Sequence, residues 1–215
     1  MAVRALSPAS RFDALLFDFD GVLADTEKVH YECWSEILQP FGIAVSWEVY
    51  LRECVGISDR VMVQRLAAQT TPPGDFELIW AEYPRKQSLF RAHLEASPPF
   101  LPDTVALIRD AARHHKLAVV SSSGRTEVEP PLVRAGIRDY FQVLVCGKEA
   151  VNLKPAPDPY RMAAELLGAR APLVIEDSDA GIASGIAAGF ETVRVSSPES
   201  VAREVRERIS AVRGA

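Results

Sequence analysis

Asp18 and Asp20 stand two residues apart in the stretch "LLFDFDGVLADTE", Leu15 to Glu27. On an extended chain, side chains at i and i+2 point to the same side. Two like charges brought to one place repel, so their delivery makes sense where a reaction uses both. One carboxylate can serve as nucleophile and the other as proton carrier. Gly21 follows, and it permits a turn and a close approach of ligand to backbone. A lone Asp-x-Asp-Gly is commonly a solvated β-turn. Here the preceding "ALLF" marks a buried strand, which weakens that simpler reading.

Three later segments carry complementary groups. "VVSSSGR" puts Ser121 at the end of a predicted strand, with Ser122, Ser123 and Gly124 offering N–H groups before a helix. That is a phosphate cradle or an ordinary strand-to-helix turn. "NLKPAPDP" holds Lys154 in a proline-stiffened loop, where a fixed cation could sit on a phosphoryl oxygen. Taken by itself, that loop reads better as carrying a solvent-exposed lysine. "VIEDSDAG" puts Glu176 and Asp177 at the end of another apolar run. Adjacent carboxylates suit a hard cation such as Mg2+, which takes one or two of them along with phosphate and water. Helix capping by Asp177 or Asp179 competes with that reading. Each signal is modest alone. Together they share one property: all four fall at strand carboxyl ends or in the loops just after.

The elements that must hold these groups are legible as an alternation. Ala14–Asp18, Leu117–Ser121, Phe141–Val145, Pro172–Asp177 and Thr192–Val195 are predicted strands. Runs apolar on both faces suit a parallel sheet covered by helices on both sides. Between them, Asp158 is expected to cap a helix that begins at Pro159 and stops at Gly168. A second helix runs from about Asp179 to near Gly189. A last one places Val201, Val205, Ile209 and Val212 on one stripe. The alternation predicts a doubly wound α/β domain.

Residues 28–97 break the pattern and hold no convincing strand. Val29, Cys33, Ile37 and Leu38 follow helical spacing, as do Met62 with Leu66 and Phe76 with Ile79 and Trp80. The expected organisation is a core of residues 10–27 and 98–215 with a small helical domain, 28–97, inserted after the first strand. Linkers near Thr26 and near the proline-rich Ser97–Pro102 would let the insert hinge over that strand's carboxyl end, where open α/β sheets bind ligands.

Composition narrows the class. The 215 residues suffice for one core domain with a modest insertion, since domains run roughly 100–200 residues. With 24 Lys+Arg against 29 Asp+Glu there is no basic footprint for nucleic acid. The three cysteines, Cys33, Cys54 and Cys146, form no C-x-x-C pair and read as reduced thiols. "MAVRALSPAS" has no continuous apolar segment of a signal peptide, and no run approaches the ~20 residues of a membrane span. A cytoplasmic globular protein with no nucleic-acid or membrane partner is the expectation.

"DFDGVLADT", "VVSSS", "KPAPDP" and "IEDSDAGI", in this order over Leu15 to Val195, resemble the four motifs of the haloacid dehalogenase superfamily. The resemblance is greatest to its branch of β-phosphoglucomutase and sugar-phosphate phosphatases, which carry a helical cap where the insert lies. It implies Asp18 as the nucleophile that forms an aspartyl phosphate and Asp20 as the general acid/base. It implies Mg2+ held by Asp18, the Asp20 backbone carbonyl and Asp177, with Glu176 direct or through water. Ser121, the amides of Ser122 and Ser123, and Lys154 would hold the transferring oxygens. In the insert, Thr26, His30 and Trp34 stand four apart on one helix face and match the Thr, His and Trp of the mutase pattern. For Trp34 a core role is at least as good a reading, and for His30 the two are even. Gly56 matches the cap's specificity loop.

Two departures favour a phosphatase over a mutase. Asp59 stands where the mutase has an arginine for a second phosphate, with Arg60 one residue later. Gly124 and Arg125 replace a Lys-Asn pair, leaving Arg125 as a substrate contact or a helix-start surface residue. The implied activity is Mg2+-dependent hydrolysis of a small, sugar or polyol, phosphate, by a monomer. The alternative is a sugar phosphomutase. A 2-haloacid dehalogenase would lack Asp20, and a receiver-type signalling module would lack the insert.

Overall fold

The computed structural model describes residues 10–97 and 99–210. The chain divides into two compact units, Met1–Asp25 with Pro99–Ala215, and Thr26–Pro98. The first strand, β1 (Ala14–Phe17), is buried at every position. The chain then leaves for the helical unit.

That unit contains α1 (Glu27–Leu38), α2 (Trp47–Glu53), α3 (Asp59–Gln69), α4 (Phe76–Trp80) and α5 (Tyr83–Ala96). Ser46, Ser58 and Asp75 accept backbone N–H bonds at the starts of α2, α3 and α4, the role expected of N-cap residues. The core is one cluster that includes Trp34, Ile37, Leu38, Met62, Val63, Leu66 and Ile79. A smaller cluster joins Cys33 to Phe90 and Leu94. Trp34, Trp80 and Tyr83 form a mutually stacked trio, with ring centroids 6.5 Å apart for Trp34–Trp80, 6.3 Å for Trp34–Tyr83 and 4.5 Å for Trp80–Tyr83.

The other unit resumes with α6 (Pro102–Ala111), β2 (Lys116–Ser121), α7 (Arg125–Arg134), β3 (Val143–Cys146), α8 (Asp158–Leu167), β4 (Pro172–Glu176), α9 (Asp179–Ala188), β5 (Glu191–Arg194) and α10 (Val201–Ser210). The strands form one parallel sheet in the order β3-β2-β1-β4-β5. Because successive side chains alternate between faces, the apolar strands feed two separate cores. Leu15, Phe17, Leu117, Val119, Leu173 and Ile175 pack on one side with residues of α6, α7 and α10. Leu16, Ala118, Val120 and Val174 pack on the other with Tyr160, Ala163, Ala164 and Leu167 of α8. This is the doubly wound sheet, with β1 central. Its switch point lies between β1 and β4, the position that favours ligand binding in such sheets.

Several boundaries differ from expectation for identifiable reasons. Asp158 is the first helical residue of α8 and not its cap; its carboxylate accepts from Asn152 Nδ2 at 2.9 Å. Strand β3 starts at Val143, two residues late, because Phe141 ends a short 3-10 turn and packs edge-on against Phe17. Val212, the last residue of the predicted stripe on α10, lies outside the described residues. Among those residues, no helix is long and apolar enough to cross a membrane.

Candidate active site

The chain after β1 turns back tightly. Ala24 N–H donates to Phe19 O and Gly21 N–H to Ala24 O, both at 2.9 Å. Gly21 has φ +74°, and a Cβ there would lie 2.1 Å from Asp177 Oδ2. Only glycine lets the loops after β1 and β4 meet this closely. Asp18 N–H donates to Ile175 O at 3.0 Å, so the sheet pairing runs right up to the first acidic residue.

Lys154 ties these two loops together. Its ammonium has three protons and three partners: Asp18 Oδ1 at 2.7 Å, Val120 O at 2.8 Å and Glu176 Oε1 at 2.6 Å. Burial alone would lower its pKa, but the charges of Asp18 and Glu176 outweigh burial and hold it above the ordinary lysine range. Its loop taken alone would favour an exposed lysine, but the side chain is 3% exposed and sits among the residues with which the sequence groups Lys154.

The acidic groups carry more negative charge than one lysine can offset. Asp18, Glu176 and Asp177 each offer an oxygen, and these atoms all lie within 4.8 Å of one another. Burial, and then the Glu176 charge, hold Asp18 well above the usual carboxylate range. The same two causes push Asp177 up to about 7. Crowded hard oxygens with such perturbed protonation fit a small divalent cation. Asp20 stands slightly apart by its side chain. Its Oδ2 accepts from Ser123 Oγ at 2.7 Å and, more weakly, from Ser121 Oγ at 3.4 Å. Ser121 Oγ in turn accepts the Ser123 N–H at 3.0 Å. The serines thus orient Asp20, a task absent from the expected phosphate cradle. Ser122 lies half-buried in the turn between them.

Arg125 is not brought to this cluster. Its guanidinium donates to both oxygens of Glu149, at 2.7 and 2.9 Å, and to Leu144 O at 2.9 Å. Glu149 also accepts the Cys146 N–H, so Arg125 fastens the loop after β3. Its expected substrate contact gives way to this structural bond set.

The remaining predicted residues belong to the helical unit. There Trp34 is a core aromatic, and its Nε1–H donates to Asp59 Oδ1 at 2.9 Å. Asp59 Oδ2 accepts from Lys86 Nζ at 3.0 Å, and Lys86 also meets His30 Nδ1 at 2.9 Å. Lys86 is fully buried under the rings of Trp34, Tyr83 and Phe90. Thr26 and His30 are buried as well. Gly56 takes φ +78° in the bend before α3. Arg60 lies over the Phe76 ring at 4.8 Å and the Trp80 ring at 5.4 Å, and reaches Glu77 at 3.8 Å.

Four contributors escaped the sequence reading. Val120 supplies a carbonyl, which no side-chain pattern reveals. Tyr160 donates its hydroxyl to Glu176 Oε1 at 2.6 Å. Ser178 donates its hydroxyl to Glu176 Oε2 at 3.1 Å. Gly181 makes room for that carboxylate: a Cβ there would fall 1.8 Å from Glu176 Oε1. The usable signal for Tyr160 was a polar-tipped ring on the apolar stripe of α8, six residues past Lys154.

The family model for haloacid dehalogenase-like hydrolases matches residues 15–195, most of the chain. The chain belongs to this family. A probable pseudouridine-5'-phosphatase of Drosophila melanogaster is 31% identical over 194 residues, covering 85% of this chain and 81% of that protein. The fructose-1-phosphate phosphatase YqaB of Escherichia coli is 28% identical, covering 86% and 97%. The structure of a CbbY variant from Rhodobacter sphaeroides with xylulose-(1,5)bisphosphate superposes with a TM-score of 0.72 at 27% identity, covering 84% of each chain. All four family motifs fall inside the matched span, and the residues gathered at the strand ends come from all four.

Proposed function

We propose that this hydrolase removes the phosphoryl group from a small phosphorylated carbohydrate or polyol, with Mg2+ as cofactor and an aspartyl phosphate as intermediate. The observation that carries the reading is the Asp18–Lys154–Glu176 chain beside Asp177, with a separately oriented Asp20 two residues from Asp18. A nucleophile, a fixed ammonium and an independently held acid/base are the parts that phosphoryl transfer to a carboxylate needs.

In this reading an Asp18 carboxylate oxygen attacks phosphorus. The bond to the leaving oxygen breaks, and that oxygen takes its proton from Asp20. Water then attacks the aspartyl phosphate, gives its proton to Asp20 and frees Asp18 and inorganic phosphate. Lys154 supplies positive charge to the transferring oxygens as negative charge shifts onto them. Asp18, Asp177 and the Asp20 carbonyl would hold Mg2+, with Glu176 beside them. The ion supplies charge neutralisation that lets a carboxylate approach an anionic phosphate.

Hydrolysis is favoured over phosphoryl return to a sugar because both arginines considered for a second phosphate are otherwise engaged. Arg125 is held by Glu149, and Arg60 lies on Phe76 and Trp80. The test is phosphate release from hexose, pentose and polyol phosphates with Mg2+, with Asp20→Asn as control. β-Glucose 1-phosphate is scored separately for conversion to glucose 6-phosphate. Release that Asp20→Asn abolishes supports the reading, and isomerisation without release refutes it in favour of the mutase.

A further inference from the structure

Glu176 is fully buried, and its carboxylate accepts on both oxygens. Oε1 receives Lys154 Nζ and the Tyr160 hydroxyl, both at 2.6 Å. Oε2 receives the Ser178 hydroxyl at 3.1 Å, the Asp177 N–H at 3.2 Å and the Ser178 N–H at 3.3 Å. Three of these donors come from the loop that carries Glu176 itself. Lys154 and Tyr160 are the two exceptions, and of these Tyr160 is the uncharged one. It reaches across from α8, a different element, and shares the very oxygen that holds Lys154.

The geometry points to Tyr160 as a positioning residue: its hydroxyl fixes Glu176 Oε1, and Glu176 Oε1 fixes the ammonium of Lys154 against Asp18. This inference rests on the phosphoryl-transfer reading for the use made of Lys154. Without the hydroxyl, Oε1 keeps a single donor and the carboxylate can rotate within its pocket. Lys154 then divides its time between Glu176 and Asp18, and less of it is in place where phosphoryl oxygens need it. The phenol ring has its own packing role, lying 5.0 Å from the Lys154 ammonium within the apolar layer of α8. Tyr160→Phe keeps the ring and removes only the hydroxyl, so it separates the two roles.

The experiment compares wild type and Tyr160→Phe in three measurements: kcat and KM on the best phosphomonoester, orthovanadate affinity by calorimetry with Mg2+, and thermal midpoint. Vanadate is a phosphoryl mimic whose binding needs no turnover. Loss of an outer partner that orients a carboxylate of a metal site, as Tyr160 orients Glu176, costs about ten- to a hundred-fold. Tyr160→Phe should lower kcat and vanadate affinity by at least ten-fold on that scale, with KM nearly unchanged. In a Glu176→Gln background the same change should add little, because Tyr160 acts through Glu176. Wild-type kcat and vanadate affinity in Tyr160→Phe, with only the midpoint lowered, would overturn the inference. So would a full additional loss in the Glu176→Gln background. If Glu176→Gln does not fold, the single variant decides alone. A wild type inert on every phosphomonoester that still binds vanadate better than Tyr160→Phe would refute the hydrolysis reading and leave the positioning role standing. A wild type that binds no vanadate overturns the positioning role as well.

Discussion

The raised carboxylates at the strand ends make a prediction about stability that concerns the folded chain in the absence of metal. An unfolded Asp titrates near 3.8, while folded Asp177 titrates at about 7. Below the lower value both states hold the proton and the site costs nothing. Between the two values the unfolded state has released a proton that the folded state retains, so stability falls as pH rises. Above about 7 the loss is complete and levels off. Each pH unit in this window is worth about 1.4 kcal/mol per proton, giving an upper figure of about 4 kcal/mol. Asp177 keeps some solvent contact, which screens its neighbours, and about 1–3 kcal/mol is the expected remainder. In EDTA at pH 8, Asp177→Asn should therefore be more stable than wild type by that amount, and equal to it near pH 4.

The measurement is urea unfolding at pH 5, 6, 7 and 8 in EDTA for both proteins. The difference between them is the informative quantity, because other groups titrate in the same window. His115 is held below the ordinary histidine value by burial. It remains neutral in the folded state while the unfolded state charges, so it costs stability as pH falls below 6.5, the opposite direction. That effect is common to both proteins and cancels. Adding Mg2+ at pH 8 to about 100 times its Kd should shift the difference by up to about 2.7 kcal/mol toward wild type, because Asp177→Asn removes a ligand. A difference that stays flat from pH 5 to 8, or an Asp177→Asn protein less stable than wild type in EDTA at pH 8, would refute the account of these carboxylates.

Three other outcomes follow from the same geometry. Asp18→Asn should abolish phosphate release yet leave the EDTA-treated protein at least as stable as wild type in urea; clear destabilisation would mean that attraction to Lys154 outweighs crowding. Gly181→Ala puts a methyl group into the Glu176 carboxylate, so kcat should fall by about a hundred-fold even though alanine favours a helix interior by ~1 kcal/mol. Near-wild-type turnover would show that Glu176 can move without consequence. Asp59→Ala removes the carboxylate that neutralises fully buried Lys86 and accepts from Trp34, and should cost about 3 kcal/mol in urea unfolding. A loss below about 1 kcal/mol, the scale of a surface pair, would contradict the burial argument.

Strands β1 to β4 were legible because each is dominated by apolar residues, a pattern that a parallel sheet covered on both faces produces, whereas β5, Glu191–Arg194, is mixed and only half-buried. From these runs, their alternation and the helical stripes between them, the doubly wound core follows. The helical insert was legible as an interruption of that alternation, and its bounds in the structure, Thr26–Pro98, lie within two residues of those read from the sequence. The acidic pairs stood out because each falls where a strand stops, and Lys154 because it lies in the proline-stiffened loop after another strand. What a linear pattern carries well is periodicity and its abrupt end.

Partnership is carried less well, and particular residues show why. The Lys154 loop by itself points to an exposed lysine, and only its company with the other motifs argues for a site; its burial depends on Asp18 just past β1, a Val120 carbonyl on β2 and Glu176 on β4. Arg125 sits beside the serine loop in sequence, yet the guanidinium is held by Glu149, twenty-four positions on. Trp34 shares a helix face with His30, and that spacing is equally compatible with a pocket wall or a core; the stacked rings of Trp80 and Tyr83 decide for the core. In each case the side chain's role is set by which acceptors reach it first. Those acceptors come from elements that only the sheet order and the helix packing bring near. A polar residue on an otherwise apolar stripe, such as Tyr160 on α8, is therefore the most useful trace that such a partner leaves in a sequence. Burying its hydroxyl without an acceptor would cost about 1–3 kcal/mol, so an acceptor must lie within reach of it.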